Sequence, residues 1–294
     1  MELLTTQEFT LPYPSGSARE NDVVSGDIRY IDDGRARPLL LIAHGFKTYK
    51  DWGMFPYAGE YFAERGFVTV VINFARNGVR PGEKKLTDWR LFAANTPSFE
   101  VDDIHMVLDA INEGALEYYG INVDETKQYL LGHSGGGGVS LIAASERKDI
   151  TGVVAWAPIA TFDRFTDEEK KFWRAKRELL LKEDPEHGQI RVGLDPLDDI
   201  EVNAERLNIC TAVRRYNGSI LIVHGDQDPT VPLDEGKQLY EIASPEKGTF
   251  VIIPDADHLF GVSHPYARGT APHFEQVLRE TKKWLPEITE DPLS

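Results

Sequence analysis

Cysteine is almost missing from this chain. Cys210 is the single example in 294 residues, so no intramolecular disulfide can form and the core must hold the fold. Scarce cysteine also leans toward a reducing compartment, and flanked by no histidine, Cys210 reads as a structural residue. Basic side chains are in deficit: 32 Lys and Arg stand against 48 Asp and Glu, a net charge of −16. A surface of that sign repels polyanions, so no nucleic-acid partner is expected. No stretch approaches the roughly 20 apolar residues of a membrane span. The opening residues 1–8 lack the basic start and apolar centre of a secretory signal. The expectation is a soluble, cytoplasmic protein that does not bind membranes. Internal repeats and low-complexity tracts are missing, as are H-E-x-x-H and paired-cysteine spacings, so no metal or other cofactor is expected.

What is present is ample material for a core, with 41% hydrophobic and 10% aromatic residues. Apolar, β-branched runs alternate with helix-period segments, the pattern of a mostly parallel α/β sheet of about eight strands flanked by helices. Strands are predicted at 8–11, 27–31, 39–43, 68–72, 128–131, 153–157, 220–223 and 249–253, the first two antiparallel. The run Leu39-Leu40-Leu41-Ile42-Ala43 suits a strand buried on both faces. Helices are predicted at 52–65, 99–119, 139–145, 233–243 and 274–284. Residues 160–217 break this rhythm, with charged, helix-prone sequence and no strand-like run. Phe165, Phe172, Trp173, Leu179 and Leu180 are predicted to form one apolar stripe there, with further helix over 199–216. The chain is thus expected to be a single domain over 1–294 in which 160–217 is a helical cap over the active end.

The richest motif is Gly132-His133-Ser134-Gly135-Gly136, between an apolar run and a helix-like run. In this G-x-S-x-G pattern a tight strand-to-helix turn presents a serine hydroxyl at the top of a sheet, and neighbouring glycines leave room for it. A phosphate-binding P-loop would need Gly-Lys-Ser/Thr, and no lysine follows. A serine hydroxyl needs a base held by a third group. Candidates follow two later strands: Asp226 and Asp228 after the run ending at Val223, and His258 after the run ending at Ile253. Active-site groups collect at such strand ends in parallel sheets.

Four motifs in this order resemble the α/β-hydrolase superfamily over nearly the whole chain. They are His44-Gly45-Phe46, the Ser134 elbow, His224-Gly225-Asp226-Gln227-Asp228-Pro229-Thr230-Val231-Pro232, and Asp257-His258-Leu259-Phe260. Within that superfamily the chain is most similar to dienelactone-hydrolase-like and prolyl-oligopeptidase-like serine esterases. The resemblance implies Ser134 as nucleophile, His258 as general base and Asp228, rather than Asp226, as the orienting acid. It also implies an oxyanion hole from the backbone N–H groups of Phe46 and Gly135, with the Phe46 ring facing the acyl pocket. His44, His133 and His224 read as loop anchors. Arg76, after the fourth strand, is a candidate partner for a substrate carboxylate, and Phe172 and Trp173 are candidate substrate contacts from the cap.

The implied function is cleavage of a carboxylic ester in a small acyl compound through an acyl-enzyme. A peptidase acting on amides shares these motifs, although the chain is too short for the β-propeller of large prolyl oligopeptidases. A ligand-binding protein on the same fold is a third reading, against which every triad candidate is present. A general base must be neutral, so the rate is expected to fall as His258 protonates in acid.

Overall fold

A computed structural model describes residues 4–181 and 188–288. The chain opens with strands β1 (Leu4–Pro12), β2 (Val23–Ile31) and β3 (Arg37–Ala43), helix α1 (Met54–Ala63) and strand β4 (Val68–Asn73). Helices α2 (Trp89–Ala93) and α3 (Pro97–Asn112), strand β5 (Val123–His133), helix α4 (Gly135–Ser145) and strand β6 (Ile150–Trp156) follow. Next come α5 (Asp167–Lys176), the two-residue strands β7 (Leu179–Leu180) and β8 (Arg191–Val192), α6 (Asp195–Val202) and α7 (Ile209–Arg215). Strand β9 (Ser219–Gly225), α8 (Leu233–Ile242), β10 (Gly248–Ile253) and α9 (Pro272–Trp284) complete the chain.

Eight strands form one sheet in the order β1-β2-β4-β3-β5-β6-β9-β10. β2 is antiparallel to both its neighbours, and the remaining pairs are parallel. Burial on both faces explains the continuous apolar strands. Leu39, Leu41 and Ala43 join one core with Val101 and Ile104 of α3, Val139 of α4, Val213 of α7 and Leu239 of α8. Leu40 and Ile42 alternate to the other face and pack with Phe55 and Phe62 of α1 and Phe274 and Val277 of α9.

Helix starts follow local chemistry. At α3 the Thr96 side chain accepts from Phe99 N–H and Pro97 occupies the first turn. α5 begins with a reciprocal capping box between Thr166 and Glu169. The helix predicted over 99–119 ends early, at Asn112, and a separate 3-10 turn covers Glu117–Tyr119.

The segment between β6 and α7 departs from the expected helices. Leu179–Leu180 and Arg191–Val192 pair as an antiparallel hairpin, so strand is present where none was predicted. Residues 182–187 of the expected cap lie outside the described residues. The helix predicted over 199–216 is two helices. The second, α7, packs on α4 and α8, so it covers the sheet like any flanking helix. The stripe also divides: of the α5 residues only Trp173 is buried, and Leu180 is exposed in β7. None of the helices among the described residues is long and apolar enough to cross a membrane.

Candidate active site

β5 is central in the sheet and delivers Ser134 at its C-terminal end, where α4 starts at once. The turn is possible only because its neighbours are glycines. A Cβ on Gly132 would lie 2.1 Å from Gly136 O, and one on Gly136 would lie 2.3 Å from His44 O. Ser134 has φ 57° and ψ −120°, backbone territory that belongs to glycine and stores strain. Its N–H donates to Trp156 O at 2.8 Å, pinning the turn to β6.

Three strand ends converge here. His258 Nε2 stands 3.0 Å from Ser134 Oγ, and His258 Nδ1 stands 2.7 Å from Asp228 Oδ2. The other carboxylate oxygen accepts backbone N–H groups from Thr230 at 2.8 Å and Val231 at 2.9 Å. The Asp228 side chain is fully buried. Burial works against its charge, but the N–H groups of His224 and His258, the His258 charge and the Val231 N–H outweigh it. The carboxyl is therefore held well below the usual range. With an acceptor at Asp228, His258 carries its proton on Nδ1, and its Nε2 is open to the serine proton. That chain of hydrogen bonds can activate a hydroxyl for attack on an acyl carbon.

Two further histidines hold the surroundings. His133 donates from Nε2 to the His258 carbonyl at 2.9 Å, its ring 4.7 Å from the His258 ring. Burial, reinforced by the neighbouring His258, depresses its pKa to about 3. His44 sits under the loop after β3. Its Nδ1–H donates to Gly45 O at 2.8 Å, and its Nε2 accepts from Asn77 Nδ2 at 3.1 Å. Burial depresses its pKa to about 4. Asn73 Oδ1 accepts from both Asn77 Nδ2 and Lys50 N–H, so the β4 end and the β3 loop form one rigid piece. That piece presents Phe46 to the elbow: a Cβ on Gly135 would lie 3.9 Å from Phe46 N.

The Phe46 ring is 52% exposed and tilts against Phe92 of α2, which in turn meets Trp89. The insertion reaches the same place, because Gly193 N–H donates to Ala93 O at 2.8 Å and Trp173 Nε1–H donates to Gly193 O at 2.9 Å. Trp89 and Phe92 were not among the residues expected from sequence. Nor were Asn73 and Asn77, although their place after the fourth strand was the available signal.

Other expected contacts are arranged differently. Arg76 donates through Nε to Asp22 Oδ2 at 2.8 Å and lies over the Phe99 ring. Its charge is engaged in holding the β2 entrance to α3, which removes it as a partner for a substrate carboxylate. Trp173 is 1% exposed and packs against Phe165, so its ring supports the insertion and has no face for a substrate. Phe172 is exposed, with the Lys176 ammonium over its ring. Asp226 takes a turn role, with Oδ1 accepting from Asp255 N–H at 2.7 Å.

A family model described as the prolyl oligopeptidase family matches residues 54–282. The chain belongs to the prolyl oligopeptidase family. Among curated proteins none matches it. Solved structures similar to this family member include Est1E from Butyrivibrio proteoclasticus, at 22% identity and TM-score 0.64, covering 90% of this chain and 94% of that one. The α/β hydrolase GrgF from Penicillium sp. sh18 matches at 19% identity and TM-score 0.66, covering 96% and 98%. The esterase domain of a Rhodothermus marinus protein matches at 17% identity and TM-score 0.61, covering 95% and 97%. The fold is that of the α/β-hydrolases, and the family makes this chain a serine hydrolase of that kind.

Proposed function

We propose that this serine hydrolase cleaves carboxylic esters of small acyl compounds through an acyl-enzyme on Ser134. The reading is carried by the unbroken hydrogen-bond chain Ser134–His258–Asp228 beside the Phe46 and Gly135 N–H groups. Ser134 Oγ attacks the acyl carbon while its proton passes to His258 Nε2. Asp228 stays ionised and steadies the imidazolium. The carbonyl oxygen, now negative, is received by the Phe46 and Gly135 N–H groups, where α4 also directs its positive end. His258 then protonates the departing alkoxide. Water, deprotonated by His258, releases the acid and restores the serine.

The exposed Phe46 ring, backed by Phe92 and Trp89, favours an ester whose acyl or alcohol part is apolar and flat. The hairpin and α5 of the insertion brace this aromatic wall through Gly193 and Trp173, and we assign the insertion the part of a cap over the substrate's approach. Aryl and hydroxycinnamoyl esters are therefore the first substrates to try; Est1E, which shares the fold at 22% identity, has been seen with ferulic acid bound.

A fluorophosphonate probe is expected to label Ser134 alone, and Ser134→Ala and His258→Ala are expected to lower aryl-ester kcat at least 10³-fold. Full activity in Ser134→Ala refutes the mechanism. The family match favours amide cleavage as the second reading. Turnover of aminoacyl-naphthylamides without aryl-ester turnover would establish it in place of the first.

A further inference from the structure

We infer that His224 is a positioning residue for the reaction, holding the Asp228 carboxylate on His258 through its Nε2–H. The inference rests on the proposed roles of Ser134, His258 and Asp228. His224 is the penultimate residue of β9, its side chain fully buried, four residues before an equally buried Asp228. Its Nε2 is 2.9 Å from Val231 O and 3.3 Å from Asp228 Oδ2. Both partners are acceptors, so Nε2 carries the proton; its hydrogen bond goes to Val231 O, and Asp228 Oδ2 is the longer, second contact. The opposite nitrogen, Nδ1, faces Gly236 of α8, where an added Cβ would lie 2.6 Å away. The ring is thereby clamped from behind and cannot turn its donor elsewhere.

This arrangement sets two imidazole N–H groups on Asp228 Oδ2, His258 Nδ1–H in a hydrogen bond at 2.7 Å and His224 Nε2–H in a longer contact at 3.3 Å, while Oδ1 takes two backbone donors. The backbone donors hold Oδ1, and His224 acts on the other oxygen, the one that faces His258. With His224 in place, the oxygen facing His258 has a second N–H beside it and its negative charge is partly drawn away. The titratable groups around the ring are few. Asp228 comes from its own connection, His258 from the loop after β10 and His133 from β5. α8 presents Gly236, and its Glu235 is turned to Ala160 N–H and Arg164.

Loss of Nε2–H leaves more charge on the oxygen that faces His258, which favours the imidazolium. His224→Leu is expected to lower kcat about tenfold, equivalent to about 1.4 kcal/mol, with KM unchanged, and to move the acid limb of kcat/KM to higher pH. The proton resonance of His258 Nδ1–H is expected to move downfield. His224→Gln, whose amide nitrogen reaches as far as Nε2, is expected to restore the limb and most of kcat. A packing role alone would lower kcat equally in both variants and leave the limb and the resonance where they are; that result overturns the inference. Wild-type kcat and limb in His224→Leu overturn it as well. If His224→Leu does not fold, His224→Gln beside His224→Asn, which is too short to reach Asp228, makes the same comparison. Failure of wild-type Ser134 to take the fluorophosphonate probe would refute the catalytic reading instead, and the resonance reports on the Asp228–His258 pair without turnover.

Discussion

Replacing Ser134 by glycine should make the protein more stable than replacing it by alanine. Both substitutions remove Oγ and with it the contact to His258, so that loss cancels in the comparison. What differs is the backbone. At φ 57° and ψ −120° a residue with a Cβ carries a strain of about 1–3 kcal/mol, which glycine does not. Glycine in turn loses about 0.5–1 kcal/mol more chain entropy on folding. The balance leaves Ser134→Gly ahead of Ser134→Ala by about 1 kcal/mol, or about 2 °C in Tm for a chain of this size. Urea unfolding followed by tryptophan fluorescence and circular dichroism measures it, provided the two variants share one m value. Equal stability, or an advantage for alanine, would refute the claim that the elbow is strained in the folded state.

Three more expectations follow from the same geometry. Gly132→Ala places a methyl 2.1 Å from Gly136 O, so the elbow must move by about 1 Å, a misplacement worth about 10² in rate; steady-state kcat near wild type would contradict it. His44 and His133 have folded pKa values depressed to about 4 and about 3, against about 6.5 unfolded. The unfolded chain therefore binds their protons first, so unfolding free energy should fall as pH drops from 6.5 toward 4 and be fully retained above 6.5. His44→Asn should flatten that slope by up to one proton in urea titrations, and an unchanged slope would exclude His44 as a source. Arg76→Ala should cost about 1–2 kcal/mol of stability, since Asp22 keeps Arg19, and leave KM for esters unaltered. A KM rise confined to esters bearing a carboxylate would return Arg76 to the substrate site.

The strands were legible because most lie where both faces are covered, and a run such as residues 39–43 has no amphipathic alternative. The convergence of Ser134, His258 and Asp228 was legible because each follows a strand and the flanking glycines are dictated by close backbone approach. The insertion was harder. Its strands are two residues long, below any period a sequence can display, and Trp173 sits in a helix whose other side chains are mostly charged. Arg76 misled for a different reason. Its partner Asp22 lies 54 positions away, and nothing local distinguishes an arginine that closes an ion pair from one that waits for a substrate. Phe92 and Trp89 were missed because α2 is five residues long and becomes a wall only when the loop after β3 arrives beside it.

Ser134 and His258 stand 124 positions apart and meet only across the finished half-sheet of β5, β6, β9 and β10. On the proposed roles of these two residues, reactivity therefore waits for that half-sheet to close. Contacts of such long range form slowly, and a nascent or clipped polypeptide that already contains the elbow has no base to arm it. Recovery of probe labelling after dilution from urea should lag the recovery of helix signal, which makes the serine itself a reporter of completed topology.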